Sequence, residues 1–197
     1  MGLKGKCIDF PVVAQEKDHT CGTACVKAYL LFNKIKSFSE EKIAKLLHSN
    51  PKWGTSYKDI VSFFDNNDFQ PIVRHKLSIK DLFKILDSKR PLLICLQAWA
   101  DGKNPNYKDK WDDGHYVVVV GYDTTNVYFM DPYAAPGSPS LENKYAYIPT
   151  HEFMDRWHDW DGPDDQVLDH FGIMVLNLGN INPPTKPINE KMAMKMK

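Results

Sequence analysis

The sequence has no net charge, because its 25 lysines and arginines balance its 25 aspartates and glutamates, and its pI is about 7.0. Proteins that bind nucleic acid usually carry a strongly basic face, which this balance does not favour. Long apolar runs are also missing. The two longest, around residues 91–100 and 116–120, are too short to cross a bilayer. We therefore expect neither a nucleic-acid partner nor a membrane span.

Cysteine is scarce, with four residues in 197, and their positions do not form a paired module. That pattern favours free thiols in a reducing compartment over a disulfide framework. The N-terminal residues lack the apolar core of a signal peptide. We therefore expect a cytoplasmic protein, with export by a signal-independent route left open. No cofactor is indicated, and the oligomeric state is left open.

The chain does contain enough apolar sequence for one domain, since 43% of its residues are hydrophobic and 25% are charged. Helical patterns dominate the first half and strand patterns the second. This order predicts an α+β fold in which an N-terminal helical layer packs on an antiparallel β-sheet. We expect a single domain over residues 1–178. The Pro-rich tail over residues 179–197 is expected to be disordered.

The local patterns place the individual elements. Helical spacing runs from Cys21 to about Asn33, capping residues at Ser37, Thr55 and Ser78 open three further helices, and a fifth helix runs from Pro149 to about Trp157. Strands are predicted over residues 7–13, 71–75, 92–96, 115–123, 126–131, 145–148 and 171–178. A long polar loop is predicted over residues 99–113, and an acidic loop after Trp157.

Cys21 is the candidate nucleophile, because it stands where the first helical pattern begins. Unpaired backbone N–H groups and the positive end of the helix dipole favour a thiolate at such a position. Gly22 allows a tight turn and the close approach of a substrate. Cys25 follows one helical turn later on the inward face, and we interpret it as a buried core thiol.

His115 and Asp131 are the candidate partners of this thiol. A cysteine nucleophile needs a base that also protonates the leaving group, and a third group improves the histidine by fixing its tautomer. If residues 115–122 and 127–131 pair antiparallel, the start of one strand lies beside the end of the other. His115 and Asp131 then meet at one edge of the hairpin. Gln15 is a candidate donor to the oxyanion, with the Cys21 backbone N–H as the second donor.

Each of these residues has an ordinary structural explanation when it is taken alone, and only their combination favours catalysis. An aspartate before a proline, for example, is a common turn former. A metal site at His19, Cys21 and Cys25 is a weaker alternative, because zinc normally needs four ligands and a second close pair is missing. Four tryptophans could line a groove or anchor the core and loops: Trp99, Trp111, Trp157 and Trp160.

At these residues the sequence resembles the papain-like cysteine peptidases that remove double-glycine leader peptides from bacteriocins, and their stand-alone bacterial relatives. The first matching block is Gln15, five residues, and then Cys21-Gly22-Thr23-Ala24. The second is the apolar strand from His115 to Asp123, with Asp131-Pro132 after it. The likeness extends over roughly residues 8 to 178. The family often has an acidic residue before the cysteine, where Thr20 stands here, and its members are usually fused to a membrane-spanning transporter.

The resemblance implies a papain-like fold with Cys21 as nucleophile, His115 as general base and acid, Asp131 as orienter and Gln15 in the oxyanion hole. The expected function is a thiol hydrolase that cleaves a peptide or protein substrate. The same acyl-enzyme chemistry also serves a deamidase, an amide hydrolase or an acyl or glutamyl transferase. A non-catalytic peptide-binding module is a further alternative. Whether double-glycine leaders are cleaved is left open.

Overall fold

The helices form where apolar residues recur at helical spacing, and serine side chains cap three of them. The computed structural model of the chain describes residues 5–35, 38–99, 106–133, 144–176, 185–187 and 193–196. The α-helices are α1 (Cys21–Phe32), α2 (Glu40–Leu46), α3 (Tyr57–Asp65), α4 (Ile79–Asp87) and α5 (Thr150–Arg156). The caps of α2, α3 and α4 are Ser39, Ser56 and Ser78, whose side-chain oxygens accept backbone N–H groups. Ser37, expected to open the second helix, lies outside the described residues.

A nine-stranded sheet forms the centre of the molecule. Its strands are β1 (Lys6–Ile8), β2 (Gln70–Arg74), β3 (Leu92–Gln97), β4 (Gly114–Tyr122), β5 (Asn126–Met130), β6 (Tyr145–Pro149), β9 (Gly172–Leu176), β10 (Thr185–Pro187) and β11 (Ala193–Lys195). The strands β7 (His158–Asp161) and β8 (Gln166–Asp169) form a separate hairpin. The main strand order is β11-β6-β5-β4-β3-β9-β2, and β1 pairs with both β4 and β10. Among these pairs, only β11–β6 is parallel.

The strand β4 lies in the interior of the sheet. Residues 115–121 are all buried, β3 and β5 flank the strand on either side, and α1 packs against it. Strands that are buried on both faces have continuous apolar sequences, which explains the four valines at residues 117–120. The expected α+β class, with helices packed on a mostly antiparallel sheet, is confirmed.

The acidic loop expected after Trp157 is instead the β7–β8 hairpin. The two strands pair from His158↔Asp169 to Asp161↔Gln166. The side chain of Asp161 accepts hydrogen bonds from the Ser56 hydroxyl (3.0 Å) and the Tyr57 backbone N–H (3.1 Å), which fixes the hairpin to the start of α3. The charged sequence concealed this hairpin because side-chain contacts to residues about a hundred positions away help to hold it in place.

Two segments of the tail differ from the expected disorder. β10 pairs antiparallel with β1, and β11 pairs parallel with β6. Met196 is buried after β11, and its backbone N–H donates to the Tyr147 carbonyl (2.9 Å). Both segments complete open strand edges, whose unpaired backbone groups favour such additions. The other residues of 177–197 lie outside the described part of the chain.

The remaining differences are local. β1 ends at Ile8 rather than near residue 13, because Pro11 follows and the Phe10 N–H donates to the Tyr145 hydroxyl (2.9 Å) instead of to a strand. The long polar loop contains a short 3-10 turn at Tyr107–Asp109. Residues 100–105 of that loop lie outside the described residues, as do residues 134–143. Within the described ranges, no helix has the length and apolar character needed to cross a bilayer.

Candidate active site

Cys21 is the first residue of α1, as the sequence predicts, and its side chain lines a groove on the surface. Thr20 precedes it at the N-cap, and α1 has no acidic residue in its first turn. The first backbone N–H groups of a helix have no acceptor within the helix, so they favour negative charge at this end. The position therefore suits a thiolate and, during catalysis, an oxyanion.

His115 and Asp131 form a buried hydrogen bond, with 2.8 Å between Nε2 of the ring and Oδ1 of the carboxylate. The sheet register explains this contact. Val118 pairs with Met130, so Asp131 follows opposite Val117 and lies diagonally across from His115 on the same face. The hairpin geometry predicted from the turn position thus brings these two side chains together.

The histidine ring is held from both sides. Asp131 engages Nε2, and Cys21 lies close enough to the His115 side chain to favour its charged form. Because Nε2 is occupied, Nδ1 is the ring nitrogen left to face the thiol. Burial alone would lower the pKa of His115, but the interactions with Asp131 and Cys21 outweigh it and raise the pKa to about 10. The arrangement therefore favours a protonated ring beside a negatively charged partner.

Two aromatic rings and a backbone bond stabilise this pair. Trp99 packs 5.0 Å from the His115 ring and 4.9 Å from the Tyr133 ring, measured between centroids. The Tyr133 N–H donates to Oδ1 of Asp131 (2.9 Å), which fixes the carboxylate. His115 is only 2% exposed, so water has little access to it. Trp99 thus has a role beside the histidine, while Trp157 is a core residue and Trp111 and Trp160 line the groove.

Gln15 lies next to the same cluster, but its side chain is occupied. Its backbone N–H donates to the Pro132 carbonyl (2.7 Å), directly after Asp131. Its side-chain Nε2 donates to the carbonyls of Lys17 (2.9 Å) and Asp18 (3.1 Å), while Oε1 is buried without a hydrogen-bond partner. Gln15 therefore closes the turn that leads to Cys21. Donation to an oxyanion would require one of these two bonds to be shared or exchanged.

Glu40 supports the same turn and was not predicted. This residue of α2 is 1% exposed, and its Oε1 accepts hydrogen bonds from the Thr20 hydroxyl (2.6 Å) and the Glu16 N–H (2.8 Å). The carboxylate thus joins both ends of the turn between Gln15 and Cys21. No sequence signal identifies it, because a glutamate at the start of a helix usually serves the helix dipole.

Gly22 and Cys25 have packing roles. A Cβ on Gly22 would lie 3.0 Å from Cβ of Thr55 and 3.1 Å from Cδ2 of Tyr116, so the glycine permits close approach inside the protein rather than by a substrate. Cys25 is fully buried, its Sγ contacts the Tyr116 carbonyl (3.5 Å), and burial raises the pKa of its thiol well above the usual value. The prediction that Cys25 is a core thiol is confirmed.

The groove beside Cys21 has a volume of about 820 Å³. Its walls combine tryptophans, glycines and carboxylates, including Trp53, Trp111, Trp160, Gly114 and Asp159. Trp53 and Asp159 were not among the sequence candidates, since Asp159 was assigned to a loop. In the part of the chain that the structure describes, no group of three or more His, Cys, Asp or Glu side chains could hold a metal ion.

Several solved peptidase domains share this fold. A Bacillus anthracis structure described as a C39-like peptidase has a TM-score of 0.62 and 16% identity, covering 87% of this chain and 98% of its own. The peptidase domain of Streptococcus ComA, a bi-functional ABC transporter, has a TM-score of 0.58 and 20% identity, covering 83% and 96%. A double glycine motif protease from an AMS/PCAT transporter, solved with its leader peptide, has a TM-score of 0.54 and 17% identity, covering 86% and 92%.

These structures confirm the papain-like fold that the sequence resemblance implied. Among curated proteins, none matches the chain by sequence. Residues 7–162, however, match the family described as the Peptidase_C39 like family, and this range contains both sequence blocks that carry the resemblance. The match spans well over half of the 197 residues. The chain therefore belongs to the Peptidase_C39-like family and is a cysteine peptidase.

Proposed function

We propose that the chain hydrolyses peptide bonds through Cys21, His115 and Asp131. The observation that supports this proposal is the buried hydrogen bond between the His115 ring and the Asp131 carboxylate, with the Cys21 thiol close enough to help raise the pKa of His115. A nucleophile at a helix start, a base and an orienting carboxylate are the three parts that thiol hydrolysis requires. The groove beside Cys21 supplies space for an extended peptide.

In the first half of the reaction, the Cys21 thiolate attacks the scissile carbonyl carbon. The carbonyl oxygen becomes an oxyanion, for which the Cys21 backbone N–H is one donor at the helix start. Gln15 is the proposed second donor, and it reaches this role by sharing one of its bonds to the Lys17 and Asp18 carbonyls. His115 then gives a proton to the leaving amine as the C–N bond breaks, which leaves a thioester on Cys21.

In the second half, water replaces the amine. His115, now neutral, removes a proton from the water as its oxygen attacks the thioester carbonyl. The second tetrahedral intermediate collapses, the C–S bond breaks, and the carboxylate product leaves the Cys21 thiolate beside the protonated ring. Asp131 holds the ring in the required tautomer throughout, because its carboxylate accepts from Nε2.

The substrate class is a peptide or a protein segment. The transporter protease among the structural neighbours was solved with a leader peptide, so peptides with a double glycine before the cleaved bond are one class to test. Mass spectrometry separates the alternatives that share the acyl-enzyme. New chain termini indicate proteolysis, whereas an intact partner with an amide converted to a carboxylate indicates deamidation.

A thiol-directed electrophile and a peptide library test the proposal. We expect the electrophile to label Cys21, and Cys21→Ser to abolish both labelling and peptide cleavage. Cys25→Ala is the matched control, because it removes a thiol one helical turn away in the core of the same helix. Retention of cleavage in Cys21→Ser, or its loss in a folded Cys25→Ala variant, would contradict the proposed nucleophile.

A further inference from the structure

Asp159 places a carboxylate in the groove beside the proposed catalytic histidine. It belongs to β7, lines the same groove as Cys21, and lies against Gly114, the residue before His115. A Cβ added to Gly114 would lie 2.2 Å from Oδ2 of Asp159, so this oxygen occupies the space that any larger residue at position 114 would fill. The carboxylate therefore lies beside the residue that precedes His115, in the groove that Cys21 also lines.

The carboxylate of Asp159 is held in a fixed orientation. Gln97 of β3 is fully buried, and its Nε2 donates to Oδ1 of Asp159 (3.1 Å) and to the His158 carbonyl (3.2 Å). Oε1 of Gln97 accepts from the Asp113 N–H (3.1 Å), which joins the same network to the segment before His115. A neutral asparagine at position 159 could accept the same Gln97 bond, so the fold does not require the charge.

The charge of Asp159 also lacks a cationic partner. No lysine, arginine or histidine among the described residues forms an ion pair with it. Burial raises the pKa of Asp159 to about 6, and neighbouring Asp161 adds to this rise. Buried charges are normally paired, and perturbed, unpaired carboxylates in a cleft mark functional sites. A cation supplied by a ligand would relieve this cost.

Two tryptophans that line the same groove suit the same ligand. Trp53 and Trp160 pack edge to face with their ring centroids 5.7 Å apart, yet they remain 42% and 40% exposed. Lys52 also lines the groove, and its ammonium group lies 4.5 Å from the centroid of the Trp53 ring, so Trp53 already carries a cation of the protein itself and Trp160 is the other exposed indole of this wall. Indole rings also cover the aliphatic stems of lysine and arginine side chains.

We propose that Asp159 selects peptide substrates that carry a lysine or arginine next to the cleaved bond. The cationic group pairs with the Asp159 carboxylate, and the aliphatic stem packs along the tryptophan wall. Arginine is the better fit, because its planar guanidinium binds a carboxylate in two places and stacks on aromatic rings. This inference rests on the proposed peptide hydrolysis and adds a substrate class to it.

Paired quenched-fluorescence peptides test the selectivity in the unaltered protein. The two members of a pair differ at one position next to the cleaved bond, where one carries arginine or lysine and the other carries glutamine or methionine. Separate pairs test the position before the bond and the position after it. We expect kcat/KM for the basic member to exceed that of the neutral member by about 10-fold or more at one of these positions. Equal cleavage of both members at every position would overturn the proposal, and this result needs no variant.

Asp159→Asn tests which residue causes the selectivity. We expect the ratio of basic to neutral kcat/KM to fall to about one. A purely structural role would instead lower both values together and leave the ratio unchanged, which would refute the assignment. Asp169→Asn is the matched control, because it removes one negative charge from the exposed partner strand β8, outside the groove. The ratio in Asp169→Asn should equal that of the unaltered protein.

Peptide binding to the Cys21→Ala variant separates this inference from the proposed function. We expect the basic peptides to bind about 10-fold more tightly than their neutral partners, and Asp159→Asn in the same background to remove the difference. Selective binding together with absent hydrolysis would leave the selectivity intact and refute the peptidase mechanism. Hydrolysis with no preference in either assay would refute the selectivity and leave the mechanism intact.

Discussion

At the scale of single residues, the proposed chemistry depends on one buried imidazole, His115, with two partners. His115 is almost fully enclosed, which alone would favour the neutral ring, yet the carboxylate of Asp131 at 2.8 Å and the Cys21 thiol favour the charged one. The pKa of His115 is consequently raised to about 10. In the proposed mechanism, a charged ring at this position serves as the proton donor to the leaving amine.

Asp131→Asn should reduce activity and change its pH dependence. The amide keeps the size of the side chain but removes the charge that favours the imidazolium. We expect kcat to fall by about 10²- to 10⁴-fold, since removing the orienting carboxylate of a catalytic triad has effects of this order. The alkaline limb of the pH–rate profile should also move to lower pH. A variant with unchanged kcat and an unchanged alkaline limb would contradict the role of Asp131.

The raised pKa of His115 should also make the stability of the protein depend on pH in a defined direction. The raised pKa of His115 means that the folded state holds its proton more tightly than the unfolded state does. This contribution is fully present below the ordinary pKa of 6.5 and is lost as the pH rises through about 10. The melting temperature of the unaltered protein should therefore fall as the pH rises over this range. The loss should be smaller in Asp131→Asn, whose His115 lacks the charged partner.

At the scale of elements, α2 fixes the turn that leads to Cys21, the proposed nucleophile. Glu40 is the first residue of α2, and its Oε1 accepts bonds from both Thr20 and Glu16. Hydrogen bonds to a charged acceptor are stronger than those between neutral groups. The capping serine thus determines where the helix begins, and the helix start in turn presents Glu40 to the turn before Cys21.

Glu40→Ala should therefore weaken both the fold and the site. We expect a loss of about 2 kcal/mol in the free energy of unfolding, because the Glu16 N–H and the Thr20 hydroxyl lose a charged acceptor. Glu40→Gln keeps an acceptor at the same place and should lose less. Glu41→Ala is the control, since this exposed neighbour only pairs with Lys45 on the surface. Denaturant unfolding measures the three variants, and equal stability of Glu40→Ala and Glu41→Ala would contradict the assignment.

The elements differ in how far the sequence predicted them. The α3 and α4 helices appear where the capping residues and apolar spacing place them, because those signals are local, although the cap of α3 is Ser56 rather than the expected Thr55. The β7–β8 hairpin was missed, because its polar strands are held by contacts to α3 and to Gln97. Asp159 was missed for the same reason. Its position in the groove depends on a strand that local sequence does not reveal.

At the scale of the whole molecule, the tail takes part in the sheet. The β10 strand extends β1, and β11 extends β6 at the edge of the main order. Met196 follows β11 and is buried near Arg156, whose Nη1 contacts its sulfur at 3.8 Å. A Pro-rich composition suggests disorder and does not reveal such edge pairing, because the pairing depends on the exposed strands of the assembled sheet.

Met196→Ala should consequently destabilise the protein. Truncation of a buried methionine typically costs about 2 kcal/mol or more, because it removes apolar burial and leaves a cavity. Met194→Ala is the comparison, since Met194 is only partly buried on the same strand and should lose less. Melting temperatures of the two variants give the result. If neither variant shifts the melting temperature, the docked position of this segment is wrong.

The sequence by itself determined the fold class, the family resemblance and the candidates Cys21, His115 and Asp131. Those features depend on local signals: a helix start, a hairpin turn and alternating or continuous apolar strands. Only the tertiary structure decided that Gln15 closes a turn, that Glu40 supports it, and that Asp159 enters the groove. Each of these contacts joins residues from different elements or depends on a side-chain direction. Such contacts follow from packing, which no local pattern encodes.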